Sequence, residues 1–317
     1  MSGFGSNTTD HLKRSQVWSS QVKEVLEDEL MGMRWVNMIA DFPDGDTLNI
    51  PSIGQAQTND YAEGQAIKYN AFDTGNFQFT INKYKSAATY LYNKFKQDSF
   101  YMSELERTFV PNMTRALMKA MEQDVLAVGP DNQTASDLNT INGAHHRFVA
   151  GGTNEVIQVE DFAKARFALK KANVPDRNLI AIVDPSVEFE LNTLTNITNV
   201  SNNAQWQGII ETGIASDMRF IRNIYGFDVY VSQNLKSGIA ETINSVSTTT
   251  GVANLFFSAE ASVLPFVGQV RQAPVVESEY NKDLQRDEYV MTARYGFDLF
   301  RPENLVTVLS DTDQVYA

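Results

Sequence analysis

The sequence predicts a mixed α+β fold, and three observations carry that prediction: helical periodicity confined to a few segments, two-residue alternation over residues 46–84, and short apolar strands spaced through the C-terminal half. At 317 residues the chain is one large domain or two ordinary ones, and folding can bury roughly 75% of its extended-chain surface. A large core is within reach without staples. There is no cysteine, which excludes disulfides, thiolate metal sites and a cysteine nucleophile together and fits a reducing compartment.

The first element is helical. Trp18, Val22, Val25, Leu26, Leu30 and Met33 step by three and four, so one face is apolar while Glu24, Glu27 and Asp28 lie largely elsewhere. The pattern reads either as an N-terminal amphipathic arm or as a surface helix packed on its own domain. Turn formers at Phe42-Pro43-Asp44-Gly45-Asp46 end it.

Extended structure follows. Leu48 and Ile50 alternate with polar residues, Thr58-Asn59-Asp60 and Glu63-Gly64 mark a tip, and Ile67, Tyr69, Ala71, Phe77, Phe79 and Ile81 all fall on odd positions, with an interruption at 73–75. Such alternation of aromatic and β-branched residues predicts strands, so 46–84 reads as a long antiparallel excursion. An excursion of this size, rich in aromatics and without a core of its own, fits a surface that a neighbouring molecule covers.

Ser103 followed by Glu106 has the capping-box spacing of a helix start. A long helix follows with Leu105, Phe109, Met113, Leu117 and Ala120 as its stripe; Pro111 is expected to kink or restart it and Gly129-Pro130 to end it. A second helix spans about 159–172, with Glu160 and Asp161 at the positive end of its dipole, Lys170 and Lys171 at the negative end, and Pro175 beyond. Strands are expected at 179–183, 227–231, 255–257, 289–293 and 305–309, and exposed loops at 195–203 and 244–251, where Ser, Thr, Asn and Gly concentrate.

Charge and motifs exclude more than they assign. The 26 basic residues against 39 acidic ones give a net charge of −13, the wrong sign for a tight reader of the phosphate backbone. A wall facing confined DNA is a different case, since an acidic surface does not trap a moving polyanion. Residues 1–20 hold no apolar run of a signal peptide and no stretch reaches membrane-spanning length, so a soluble, unexported protein is expected. Of the three histidines, His145 and His146 are adjacent, a spacing that suits a loop or surface role better than metal ligation. No GxSxG, P-loop or HExxH segment occurs, and the acidic pairs Glu27-Asp28, Glu160-Asp161 and Asp287-Glu288 fall at helix starts or polar turns. No catalytic, cofactor or metal residue is nominated.

Read in order, several segments resemble the major capsid proteins of tailed phages with the Hong Kong 97-type fold. TLNIPSIG at 47–54, DYAEGQAIKY at 60–69 and FQFTINKYKSAATYL at 77–91 are similar to that family's extended loop and its return. SELERTFVPNMTRALMKAMEQDVLAVG at 103–129 resembles its spine helix, including the Asp124, Val125, Leu126, Gly129 ending. VEDFAKARFALKKANVPDRNLIAIVDPSVEFEL at 159–191 resembles the passage into the axial domain, and RNIYGFDVYVSQNL at 222–235 the strand leaving it. FFSAEASVLPF at 256–266 and YVMTARYGFDLFRPENLVTVL at 289–309 resemble the segments closing the peripheral domain.

The resemblance implies an organisation and a role. An N-terminal arm spans 1–45, an extended β-hairpin loop 46–84, a peripheral domain with spine helix 103–128 covers 85–177, an axial domain 178–265, and 266–317 returns to the peripheral domain. The implied role is a structural, non-enzymatic subunit that assembles into pentamers and hexamers of an icosahedral head enclosing double-stranded DNA, in the virion capsid after assembly in the host cytoplasm. The implied partners are copies of itself, a separate scaffolding protein, a portal protein and, optionally, a decoration or cement protein, with no membrane and no sequence-specific DNA contact. Trp18, Tyr61, Tyr69, Phe72, Phe77 and Phe79 are the candidate inter-subunit contacts, since aromatic residues carry much of interface energy; a locally packed hairpin is the other reading of the loop aromatics. Some family members join subunits by lysine–asparagine isopeptide bonds. Lys68, Lys83 and Lys85 are loop lysines, but no partner can be assigned, so crosslinking is not predicted. An encapsulin-type compartment shares the fold and is the alternative, and a cytosolic α+β hydrolase is the alternative of another class.

Overall fold

The computed structural model describes residues 31–40, 45–54, 58–70, 74–94, 102–133, 139–193 and 223–311. Two compact units share them: one holds Ser86–Leu117 and Pro274–Thr292, the other Asp28–Lys85, Met118–Ala273 and Ala293–Ala317. The helix expected from Trp18 to Met33 lies outside the described residues up to Leu30, and Met33 itself sits in a 3-10 turn.

In chain order, a 3-10 turn at Gly32–Trp35 leads into β1 (Val36–Met38), β2 (Thr47–Ile53), β3 (Thr74–Thr80) and β4 (Lys83–Tyr92). Helix α1 (Met102–Asn132) is followed by β5 (Thr140–Ile141), β6 (Ala144–His145) and β7 (Arg147–Val149), then α2 (Val159–Lys171), β8 (Leu179–Val183) and α3 (Pro185–Thr193). The remaining strands are β9 (Asn223–Ile224), β10 (Phe227–Val231), β11 (Ile239–Ile243), β12 (Val246–Ser258), β13 (Phe266–Asn281), β14 (Arg286–Leu299) and β15 (Val306–Asp311).

The larger unit is built on the sheet β7-β15-β12-β8-β10-β9, with β11 paired to β12. Its central strand β8, LIAIV, is buried at every position, because both faces are covered. Leu179, Ala181 and Val183 share one cluster with Phe162, Ala165 and Leu169 of α2 and with Phe256 of β12. Ile180 and Ile182 join Val125 and Leu126 of α1, Trp35 and Phe257 on the opposite face. The two-residue period of the strand thus sorts its side chains between two helical layers. Phe162 and Phe256 meet edge to face at 5.0 Å and Trp35 meets Tyr230 at 5.2 Å.

Helix α2 matches its sequence signals closely. Acids lie in the first turn and lysines in the last, and Gln158 and Asp161 add a reciprocal capping box that sequence reasoning did not single out. Helix α1 departs from expectation: it is continuous through Pro111, with no restart there, and does not end at Gly129-Pro130 but runs to Asn132. Packing explains the second difference. A Cβ on Gly129 would lie 2.5 Å from Leu305 Cδ2, so this glycine permits helix and sheet to approach rather than terminating the helix. Gln133 N–H donates to the Gly129 carbonyl at 2.9 Å and Arg147 Nη1 to the Pro130 carbonyl at 3.3 Å, which closes the end.

Two other expectations are corrected. Residues 246–251 form part of β12, not a loop: Asn244 and Ser245 both take positive φ between the paired residues Ile243 and Val246, which makes a two-residue hairpin turn. His146 is 1% exposed, not superficial. Its Nδ1 lies 3.1 Å from the Leu305 carbonyl, and its own carbonyl accepts from Thr307 N–H at 2.9 Å.

Candidate functional site

Within the larger unit, β2 and β3 form an antiparallel hairpin whose register runs from Thr47 opposite Thr80 to Ile53 opposite Thr74. Its root is firmly held. Phe79 is fully buried in a cluster with Ile81 and Val267, and Phe77 packs edge to face on Phe300 at 5.0 Å. Gly296 lies under the backbone there, since a Cβ on it would stand 2.7 Å from the Thr80 carbonyl oxygen. Asp46 pairs with Arg294, Arg271 donates to the Gly45 carbonyl at 2.9 Å, and Ile81 N–H donates to the Asp46 carbonyl at 2.9 Å.

Where the chain returns as β4, Asp124 of α1 gathers three groups. Lys85 Nζ approaches at 2.6 Å and Lys83 Nζ at 3.7 Å, and the Tyr295 hydroxyl donates at 2.6 Å. Burial first, then the hydrogen bond to Asp124 and its charge, keep the Tyr295 phenol protonated far above its ordinary range. Near the start of the described chain, the buried Glu122 carboxylate accepts from the Met31 N–H at 3.0 Å and the Gly32 N–H at 2.8 and 2.7 Å. The carboxylate satisfies amides at the start of a 3-10 turn that have no partner within it.

The tip is the opposite of the root. Residues 58–70 have no regular strand, so the alternation Ile67, Tyr69 does not form the predicted β-structure. Its internal ties are few: Gln65 N–H donates to the Ala62 carbonyl at 3.1 Å and Asn59 Nδ2 to the Lys68 carbonyl at 3.3 Å. Tyr61 is 68% exposed and Tyr69 89%. Burying such rings is worth roughly 1.5–3 kcal/mol each, and this chain leaves them in solvent.

The sequence-nominated residues therefore separate. Tyr61 and Tyr69 stand together on the exposed tip, Phe77 is half-buried and Phe79 fully buried within its own subunit, while Trp18 and Phe72 lie outside the described residues. Sequence reasoning did not single out Ile67, which is 64% exposed beside them, although its odd position was visible. It also missed the smaller unit's surface. There Tyr90 and Tyr92 are exposed, their rings 5.2 Å apart; Arg286 stacks on Tyr90 at 4.5 Å and the Tyr280 hydroxyl donates to Gln285 Oε1 at 2.8 Å. Tyr90 and Tyr92 share even positions on β4, which was the available signal.

Among the described residues no group of three or more His, Asp or Glu side chains could hold a metal, and no helix is long and apolar enough to cross a membrane. What this arrangement can do is present an anchored arm with an uncovered aromatic end.

Comparison with known proteins bears on what covers it. A sequence model of the family described as phage capsid protein matches residues 58–308. The fold is similar to the capsid of cyanophage P-SCSP1u, with TM-score 0.70 and 14% identity over 98% of this chain and 96% of that one. It is similar to a structure from Mycobacterium phage Che8, with TM-score 0.67 and 17% identity over 92% and 96%, and to the mature capsid of bacteriophage PhiM1, with TM-score 0.66 and 10% identity over 96% and 98%. No curated protein matches the sequence.

Proposed function

The chain belongs to the phage capsid protein family as a major capsid protein of Hong Kong 97-like α+β fold, and from that premise we propose that its copies close into pentamers and hexamers and tile an icosahedral head around double-stranded DNA. The observation that carries the tiling is the hairpin itself. Its root is fixed by Phe79, Asp46 and Arg294, while Tyr61, Ile67 and Tyr69 at its tip are exposed.

An arm anchored at its root, with Tyr61, Ile67 and Tyr69 exposed at its tip, is suited to clasp a sister subunit. Head-to-tail contacts of this kind close into rings. Each contact need only be weak, because every subunit is held by several neighbours and the second contact forms at high effective concentration. In this reading the segment 178–265 is the axial domain meeting at the capsomer centre, 46–84 is the extended loop, and 85–177 with 266–317 is the peripheral domain. Trp18, Phe72 and Phe77 join Tyr61 and Tyr69 as contacts between copies, and Phe79 serves by holding the hairpin root.

The capsid family and fold indicate a structural protein located in the virion capsid. Assembly in the host cytoplasm, a separate scaffolding protein, a portal protein and an optional decoration protein complete the proposal, and no catalytic role is assigned. The acidic composition, net −13, suits an enclosure that does not adhere to packaged DNA. Neither the encapsulin-type compartment nor the hydrolase is favoured by the family match.

Electron microscopy of the expressed protein, with and without a candidate scaffold, tests the proposal. Closed shells are expected. A small soluble oligomer under both conditions contradicts it, and shells that enclose cargo protein instead of DNA select the compartment.

A further inference from the structure

We propose that the hairpin tip of one copy docks on the outward face of α2 of another, with Tyr61 and Tyr69 against Phe167 and Tyr225, and Asp60 and Glu63 against Lys171. The inference rests on the shell reading above and names the receiving surface. Glu160, Lys164, Phe167 and Lys171 recur at helical spacing on the solvent side of α2. A phenylalanine at the centre of such a row is out of place on a free surface, and Phe167 is 54% exposed. Beside it, Arg166 Nη1 donates to the Tyr225 carbonyl at 2.8 Å, which ties the turn carrying the half-exposed Tyr225 to the helix. The helix and the turn tied to it thus each expose one aromatic residue.

Electrostatics selects the occupant. Lys164 is paired with Asp161 at 2.9 Å, and Arg166 and Lys170 share Asp176 at 2.6 and 3.0 Å. Lys171 has no acidic partner among the described residues and lies 5.7 Å over the Phe167 ring. One cation without an acidic partner is too little for a phosphate backbone, but it suits an aromatic segment of net acidic charge. The tip is net acidic: Asp60 and Glu63 flank Tyr61 against the single Lys68 before Tyr69, and neither acid has an ion-pair partner among the described residues. A second exposed aromatic surface, around Tyr90 and Tyr92, fits the tip poorly. Its hairpin carries Glu277, Glu279, Asp283, Asp287 and Glu288 against Lys282 and Arg286, and like charges facing each other there disfavour contact.

Photo-crosslinking in assembled shells tests the docking. With Phe167→p-benzoylphenylalanine, the expected product joins position 167 to a peptide within 58–70 of a second copy. A product with DNA, with another segment, or none at all overturns the assignment. Charge exchange gives a second readout: Lys171→Glu and Glu63→Lys each reduce shell yield about tenfold, and the double variant restores it to within about twofold. Single variants without effect, or a double variant no better than either, also overturn it. Wild-type shells with a negative result sink this docking alone, whereas a wild-type chain that forms no shells removes the shell reading as well.

Discussion

The Tyr295 hydroxyl donates to the Asp124 carboxylate across 2.6 Å, and the same carboxylate receives Lys85 at 2.6 Å. One side chain of α1 thereby ties β14 to the start of β4, where the hairpin returns to the body. Tyr295 is fully buried, so its hydroxyl has no water to fall back on. Asp124→Ala is expected to destabilise the subunit by about 2–3 kcal/mol, most of it from the orphaned phenol. Asp124→Asn, which keeps an acceptor, costs less. Chemical denaturation of unassembled subunits measures both, and equal losses would contradict the assignment.

Gly129 is a packing residue. Gly129→Ala improves helix propensity by about 1 kcal/mol, yet its methyl would meet Leu305 Cδ2 at 2.5 Å. The expected net result is a loss of about 1–3 kcal/mol, partly recovered when Leu305→Val is added. A Gly129→Ala variant as stable as the parent would show that the helix can shift to make room.

Burial holds the His146 imidazole below its ordinary pKa of 6.5. Above that value neither the folded nor the unfolded state is protonated there and the residue contributes no pH dependence. As pH falls below it, the unfolded chain takes up a proton that the folded chain resists, and stability drops by up to about 1.4 kcal/mol per pH unit until the folded pKa is reached. Asp298, raised by burial, acts with the opposite sign, so the wild type must be compared with His146→Gln, in which the Asp298 contribution cancels. The wild type should lose more stability than the variant between pH 6.5 and 5; parallel curves would contradict this.

Phe79 and Tyr69 should separate folding from assembly. Phe79→Ala opens a cavity under the hairpin root and is expected to cost about 3–5 kcal/mol. Tyr69→Ala lies on an exposed tip and should change subunit stability by no more than about 0.5 kcal/mol. Thermal melts of the two variants at low protein concentration decide this.

Local signals were legible where tertiary packing agreed with them. The terminal charges of α2 and the apolar run of β8 gave these elements their type and close to their bounds. The odd positions Phe77, Phe79 and Ile81 pointed inward as their alternation required. The same alternation at Ile67 and Tyr69 was misleading, because a strand also needs a partner edge and none among the described residues pairs with these. Gly129-Pro130 read as a helix end because sequence punctuation cannot show that Leu305 lies against that glycine. Residues 244–251 read as a loop from their Ser and Thr content, although only Asn244 and Ser245 make the turn and the threonines and valine beyond suit a strand. The site was half legible for the same reason: aromatic content marked the hairpin, but which rings are spent on the root and which remain at the tip depends on the side of the pleat and on what lies beneath.

The most direct test of the account is the sedimentation profile of Tyr69→Asp beside the wild type under assembly conditions. The account predicts that the wild type sediments as shells and that the variant, melting at the same temperature, remains as unassembled subunits or small rings. Shells in undiminished yield from the variant, or a wild-type chain that stays a compact monomer at high concentration, would contradict it.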